Sequence, residues 1–285
     1  MLAALPLSLS TGCAISLACT YCGVLDFLVY SSKLQNHSER ILKLAFLAAL
    51  YISFAFTAKA ETLEIVTEHL PPFNYLDDGV PKGIGTEVVE AVLKETGRAA
   101  PIQFLPWARS YQMALQTPGT LIYSILRTPE REDKFAWVGQ IAPYGVSLYQ
   151  LAHDNAPKLS SLEDARPLRI GVYFGDAKGE FLQANGFTNL SSVENDRLNL
   201  RKLMLKRIDL MIIDDAVIKE LIELEDVDPR KIRRALPIQE LSGYAYMAFQ
   251  KDTDPKLVEE FQRGLAKVKE TGVFDAILEE YYLIN

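Results

Sequence analysis

Two arginines, Arg127 and Arg131, stand four residues apart in SILRTPER (124–131), directly after an apolar run. Guanidinium forks at the end of a buried strand suit recognition of an anion, because they offer paired donors in one plane. The competing reading pairs both with Glu130, Glu132 or Asp133 on the surface, and spacing alone does not separate the two. Other chemistry is thinner. Asp77-Asp78 and Asp214-Asp215 are adjacent carboxylates of a kind that usually faces solvent, though acid–base work by such a pair is disfavoured rather than excluded. His69 and His153 are the two histidines beyond residue 60, too few for a His-based triad or a His-rich metal site. Lys82-Gly83-Ile84-Gly85 is too short for a dinucleotide fingerprint and reads as a turn. No G-x-S-x-G, P-loop or H-E-x-x-H occurs. We therefore expect no catalytic residue, no cofactor and no metal.

The elements that must position the arginines follow from hydrophobic period. LEIVT (63–67) alternates as a strand, and TEVVEAVLKETG (86–97) carries one apolar helical face, with Thr86 as expected N-cap and Gly97 as stop. IQFL, the helix ARSYQMALQ and the buried strand TLIYSIL follow, an alternation that implies a parallel sheet covered by helices. The pattern restarts with LRIGVY (168–173), KGEFLQANG, DRLNLRKLMLKR, IDLMII (208–213) and AVIKELIEL, then YAYMAFQ and two C-terminal helices. Two α/β units in one chain predict two lobes: 61–148 with 247–285, and 149–246. Hinge strands are expected near 147–152 and 243–249, with a ligand cleft between the lobes.

Composition divides the chain differently. Residues 1–60 are apolar and nearly uncharged, whereas the remainder carries 26 basic and 35 acidic side chains, a balance of about −9 that repels phosphate backbones. Nucleic acid is excluded as a partner on that ground. Residues 36–60 have a basic start (Arg40, Lys43), an apolar stretch from Leu44 to Phe56, and Ala58-Lys59-Ala60 as a small-x-small cleavage site. A secretory signal peptide cut after Ala60 is expected, with export to the periplasm; an uncleaved anchor is the alternative. Residues 1–35 are expected to reflect a start placed upstream of the true one, with an extra apolar segment as the alternative. Cys13, Cys19 and Cys22 all fall in this leader, where the C-x-x-C lacks a second pair to complete a metal site.

With these motifs in view, the chain resembles the family 3 extracellular solute-binding proteins, periplasmic receptors of polar amino acid ABC importers. The resemblance runs in order through PPFNY (71–75), the Gly83 turn, TPER (128–131) with Phe135, RIGVYFGDAKGEFL (169–182), IDLMIIDD (208–215) and KETGVFDAI (269–277). It implies a two-lobed α/β fold of the periplasmic-binding-protein type, with two crossover strands as hinge. It also implies a small-molecule ligand, a monomer, and an ABC permease as partner. Position by position, Arg131 matches the clamp for a ligand carboxylate and Asp214 the acid that holds a ligand ammonium. Trp107 and Phe73 match aromatic walls, and Glu68 an acidic position near the opening strand. Ser124, Arg127 and Asp176 complete the expected ligand-binding set, with backbone N–H groups at Gly175–Ala177. Leu126 stands where relatives often carry Ser or Thr. Asp176-Ala177 replaces a threonine pair and brings a negative charge toward the expected carboxylate, and Arg127 and Arg109 are candidates to add positive charge. Two other functions remain open on the same scaffold: an enzyme like those that dehydrate cyclic acids, with Glu68 or Asp214 as general acid, and a ligand sensor for a membrane kinase or cyclase.

Overall fold

The computed structural model describes residues 62–154 and 156–283; the expected signal peptide, its cleavage site and the three cysteines lie outside them. Among the described residues, no helix is long and apolar enough to cross a membrane. The first sheet holds five strands: β1 (Glu64–Thr67), β4 (Ile102–Phe104), β5 (Thr120–Leu126), β6 (Phe135–Tyr144) and β12 (Gly243–Gln250). Their order is β4-β1-β5-β12-β6. β1 pairs in parallel with β4 and β5, while β12 is antiparallel to both β5 and β6. The second sheet has the order β11-β7-β10-β8-β9, built from β7 (Val146–Leu151), β8 (Ile170–Tyr173), β9 (Leu190–Val193), β10 (Leu210–Asp214) and β11 (Ile232–Pro237). There β8, β9 and β10 are parallel and β7 is antiparallel to β10 and β11. A short hairpin, β2 (Tyr75–Asp77) and β3 (Val80–Lys82), stands apart from both. The parallel strands expected from the sequence form one side of each sheet, out to its edge, and two antiparallel-paired strands complete the other side.

The chain passes from the first sheet to the second at Gly145 and returns through residues 238–242. Both crossings come a few residues earlier than the sequence places them. The stretches expected as connectors are strands in their own right, because Val146, Leu148 and Ala245 to Phe249 are largely buried and take their places in the two sheets.

Helix α1 (Ile84–Thr96) packs its Val88, Val89, Val92 and Leu93 face on α6 (Pro255–Glu270) and on α7 (Val273–Leu283). Its start differs from expectation. The N-cap is Gly83, and Thr86 is buried inside the helix with its hydroxyl 3.0 Å from the Tyr123 hydroxyl. Gly97 ends the helix in the left-handed conformation, as its position predicted. Helix α2 (Trp107–Gln116) covers the other side of the sheet, where Trp107, Tyr111 and Ala114 pack on Val66, Ile122 and Ile125.

Ser124 interrupts the strand between those two sides. It has φ 59, and β12 skips it, with Met247 opposite Tyr123 and Tyr246 opposite Ile125. This bulge inserts one residue without losing alternation. Leu121, Tyr123 and Leu126 serve the larger core, while Ile122 and Ile125 serve the α2 side.

Gly83 makes the turn into α1 possible. At φ 111 it brings its backbone so close that a Cβ would stand 2.5 Å from the Phe73 carbonyl oxygen, and its N–H donates to the Tyr281 hydroxyl of α7 at 2.9 Å. Gly83→Ala is therefore expected to destabilise the fold by roughly 2–4 kcal/mol, read as a lowered urea midpoint. An unchanged midpoint would contradict this account of the turn.

Candidate functional site

Arg131 lies in a short 3-10 turn (Pro129–Lys134) after β5 and is 1% exposed, the largest fully buried side chain among those described. A charged group at that depth needs compensation. Its guanidinium carbon sits 4.8 Å from the centre of the Tyr111 ring and 5.6 Å from that of Trp107, both on α2. One terminal nitrogen donates to Glu180 Oε2 at 3.1 Å, across from the other lobe. Its Nε is buried without a hydrogen-bond partner.

Around Arg131 lies a cavity of about 20 Å³ lined also by Glu68, Trp107, Ser124, Leu126, Tyr173 and Asp176, with Leu70, Tyr144 and Lys178 completing its wall. Five of the expected ligand-binding residues, Glu68, Trp107, Ser124, Arg131 and Asp176, thus meet in one place. Ser124 lines this space from its bulge, and its hydroxyl is buried and unpartnered. Trp107 Nε1 donates across the cleft to the Gly175 carbonyl at 2.8 Å.

Three of the expected set, Arg127, Phe73 and Asp214, stand elsewhere, as does Arg109. Arg127 is exposed and makes a two-pronged bond to Glu132, with its guanidinium stacked over Trp137 and Tyr246. Strand alternation is the reason: Leu126 points inward and its neighbour Arg127 outward. The surface-pairing reading holds for Arg127 and fails for Arg131. Arg109 is exposed as well. Phe73 and Asp214 border a separate opening of about 370 Å³ that shares Tyr144 with the inner cavity. Asp214 Oδ1 caps helix α5 (Asp215–Leu224), accepting from Ala216 N at 2.7 Å and Val217 N at 3.1 Å, while its Oδ2 is buried and unpartnered.

The sequence reading missed Lys178 and Glu180. Both lie in the first turns of α3 (Ala177–Ala184), where only the backbone N–H groups were expected to matter. Lys178 is 4% exposed and forms an ion pair with Asp176, which also caps the helix. The negative charge expected at Asp176 is therefore already neutralised. Lys178 Nζ lies 6.0 Å from the centre of the Tyr144 ring. Burial pulls against its charge, but Asp176 and the other acids around it hold the ammonium well above the usual lysine range. The A-K-G-E that follows Asp176 shows the residue types, but not that Lys178 meets Asp176 and Glu180 meets Arg131.

The carboxyls nearby titrate unusually. Burial, with repulsion from Asp176, pushes Glu68 up to about 8, and Tyr173 hydrogen-bonds it. Burial raises Asp214 to about 7 and Asp196 to about 6. Each of these groups keeps its proton in the fold at pH values where the unfolded chain has released it. Between about pH 4 and about pH 8 folding therefore takes up protons, and their contribution to stability falls as pH rises through that window. The urea midpoint is expected to be lower at pH 8 than at pH 5, with Glu68→Gln narrowing the gap. Equal slopes in the two proteins would remove Glu68 from this account.

Two mixed sheets joined by two crossings, with an arginine buried at the seam, describe the arrangement that the motifs suggested, and a family profile decides it. The profile of the bacterial extracellular solute-binding proteins, family 3, matches residues 63–284. The chain belongs to this family. It is 24% identical over 233 residues to a probable histidine-binding protein of Campylobacter jejuni, a match covering 78% of this chain and 85% of the relative. Among solved structures, a histidine kinase sensor domain similar to periplasmic binding proteins aligns with a TM-score of 0.69 at 17% identity, covering 77% of this chain and 95% of its own. An ancestral arginine-binding protein bound to arginine aligns with a TM-score of 0.66 at 19% identity, covering 78% and 98%. These two likenesses establish the two-lobed fold.

Proposed function

We propose that this family 3 protein is a periplasmic receptor that closes on a small carboxylate-bearing solute, an amino acid or a relative of one, and delivers it to an ABC permease of the inner membrane. The observation that carries the reading is Arg131, buried against two aromatic rings with its Nε unpartnered at a cavity. An unsatisfied buried donor costs on the order of 1–3 kcal/mol, and a ligand carboxylate would remove that cost. Ser124 offers a second unpartnered polar group to the same ligand. Trp107 closes the seam through Gly175, Phe73 forms an outer aromatic wall, and the leader directs export. The names of the histidine-binding relative and the arginine-binding neighbour agree with a ligand of amino acid type. A sensory role is the second reading, favoured by the kinase sensor domain among the solved structures. An adjacent permease and ATPase gene would favour import, and an adjacent signalling gene would favour sensing.

Two outcomes are expected from calorimetric titration against a panel of amino acids and other small carboxylates. Arg131→Ala should weaken binding by about 100-fold or more while circular dichroism shows the fold retained, since two charge-assisted bonds contribute roughly 3 kcal/mol. Wild-type affinity in that variant would refute the clamp. Trp107→Phe, which removes one bond across the cleft worth about 1 kcal/mol, should weaken binding about five-fold.

A further inference from the structure

We infer that Lys178 is a specificity-determining residue: it stands in for the ligand ammonium, so that the solute clamped by Arg131 is a small carboxylic acid without an α-ammonium group. This inference rests on the receptor reading above and names the chemical class of its ligand. An α-amino acid asks a binding site for two things, donors for its carboxylate and acids for its ammonium. In this cleft the second demand is met from within. Lys178 Nζ is paired with Asp176, and Lys178 acts electrostatically on Glu68, Asp196 and Asp214 as well. Asp214 is the residue that the family resemblance gives to a ligand ammonium. Glu68, the other acid of the inner cavity, is held largely protonated at neutral pH. A second ammonium in the inner cavity would therefore meet Asp176, already paired with Lys178, a protonated Glu68 and a nearby like charge, while Asp214 borders the outer opening instead.

The carboxylate side is different. Arg131 has one protein carboxylate, Glu180, whose side chain is 39% exposed and makes a single bond of 3.1 Å. Lys178 is 4% exposed. That contrast decides which internal group a ligand displaces. Glu180 can swing into water at little cost, whereas Lys178 cannot leave without stripping Asp176 of its partner in a buried site. Once Glu180 is gone, the cavity offers the Arg131 guanidinium, its unpartnered Nε, and the unpartnered Ser124 hydroxyl. These groups suit a carboxylate that accepts hydrogen bonds and donates none. The cavity, of about 20 Å³, favours a small one.

The test compares matched pairs that differ at the α-carbon: pyruvate with L-alanine, 2-oxoglutarate with L-glutamate, and phenylpyruvate with L-phenylalanine. Calorimetric titration of the purified protein at pH 7 should show at least one oxo acid binding ten-fold or more tighter than its amino acid. Lys178→Met should shrink or reverse that ratio, since it hands the acids back to the ligand. Glu180→Gln should tighten oxo acid binding several-fold by removing the competitor for Arg131. Tighter binding of the amino acid in every pair that binds would overturn the inference and leave the receptor reading standing. Should none of the six compounds bind wild type or Glu180→Gln, the inference and the carboxylate-receptor reading fall together. The wild-type ratio decides even if Lys178→Met does not fold.

Discussion

A guanidinium withdrawn almost wholly from water imposes conditions on everything near it. Arg131 is 1% exposed, so its charge must be met by π faces, by a counter-ion and by donors turned toward acceptors. Tyr111 and Trp107 meet the first condition, which fixes where α2 lies on the sheet. Glu180 meets the second from the opposite lobe, and so couples the placement of α3 to the end of β5. The third is met only in part, because Nε has no partner. A receptor benefits from that residue of unsatisfied bonding, since a ligand that completes it gains what the protein alone forgoes.

Much of the architecture was legible because period and turn chemistry agreed. TLIYSIL and IDLMII read as buried strands and are strands, and Gly97 ends its helix where a left-handed residue is needed. What escaped were features set by distant partners. β12 joins the first sheet from Gly243, a few residues before the expected return at 247, because Gly243 to Gln250 pair with β5 and β6 about a hundred residues earlier, and nothing local announces that start. Thr86 has every local mark of a cap, yet a buried tyrosine claims its hydroxyl. Strands β6 and β11 went unread because their exposed and buried positions do not alternate cleanly.

The site followed the same rule. Glu68, Trp107, Ser124, Arg131 and Asp176 line one cavity, because the ends of β1 and β5 and the starts of α2 and α3 come to the same place. Arg127 does not, because one step along a strand reverses the direction of a side chain. Lys178 and Glu180 were missed for a different reason. Their meaning depends on which charges the opposite lobe brings, and a helix start read alone offers no view of Glu68 or Arg131. Asp214 stands apart from the inner cavity: it borders the outer opening, and one of its oxygens is spent on capping α5.

The second lobe speaks to the inner cavity through very little chain. Gly175 supplies a carbonyl, Asp176 a cap and a counter-ion, Lys178 an ammonium and Glu180 a carboxylate, all within six consecutive residues. Neither hydrophobic core depends on the charges those residues carry. Ligand preference on such a scaffold is therefore an evolutionary module: a handful of codons can retune it while the fold is inherited unchanged.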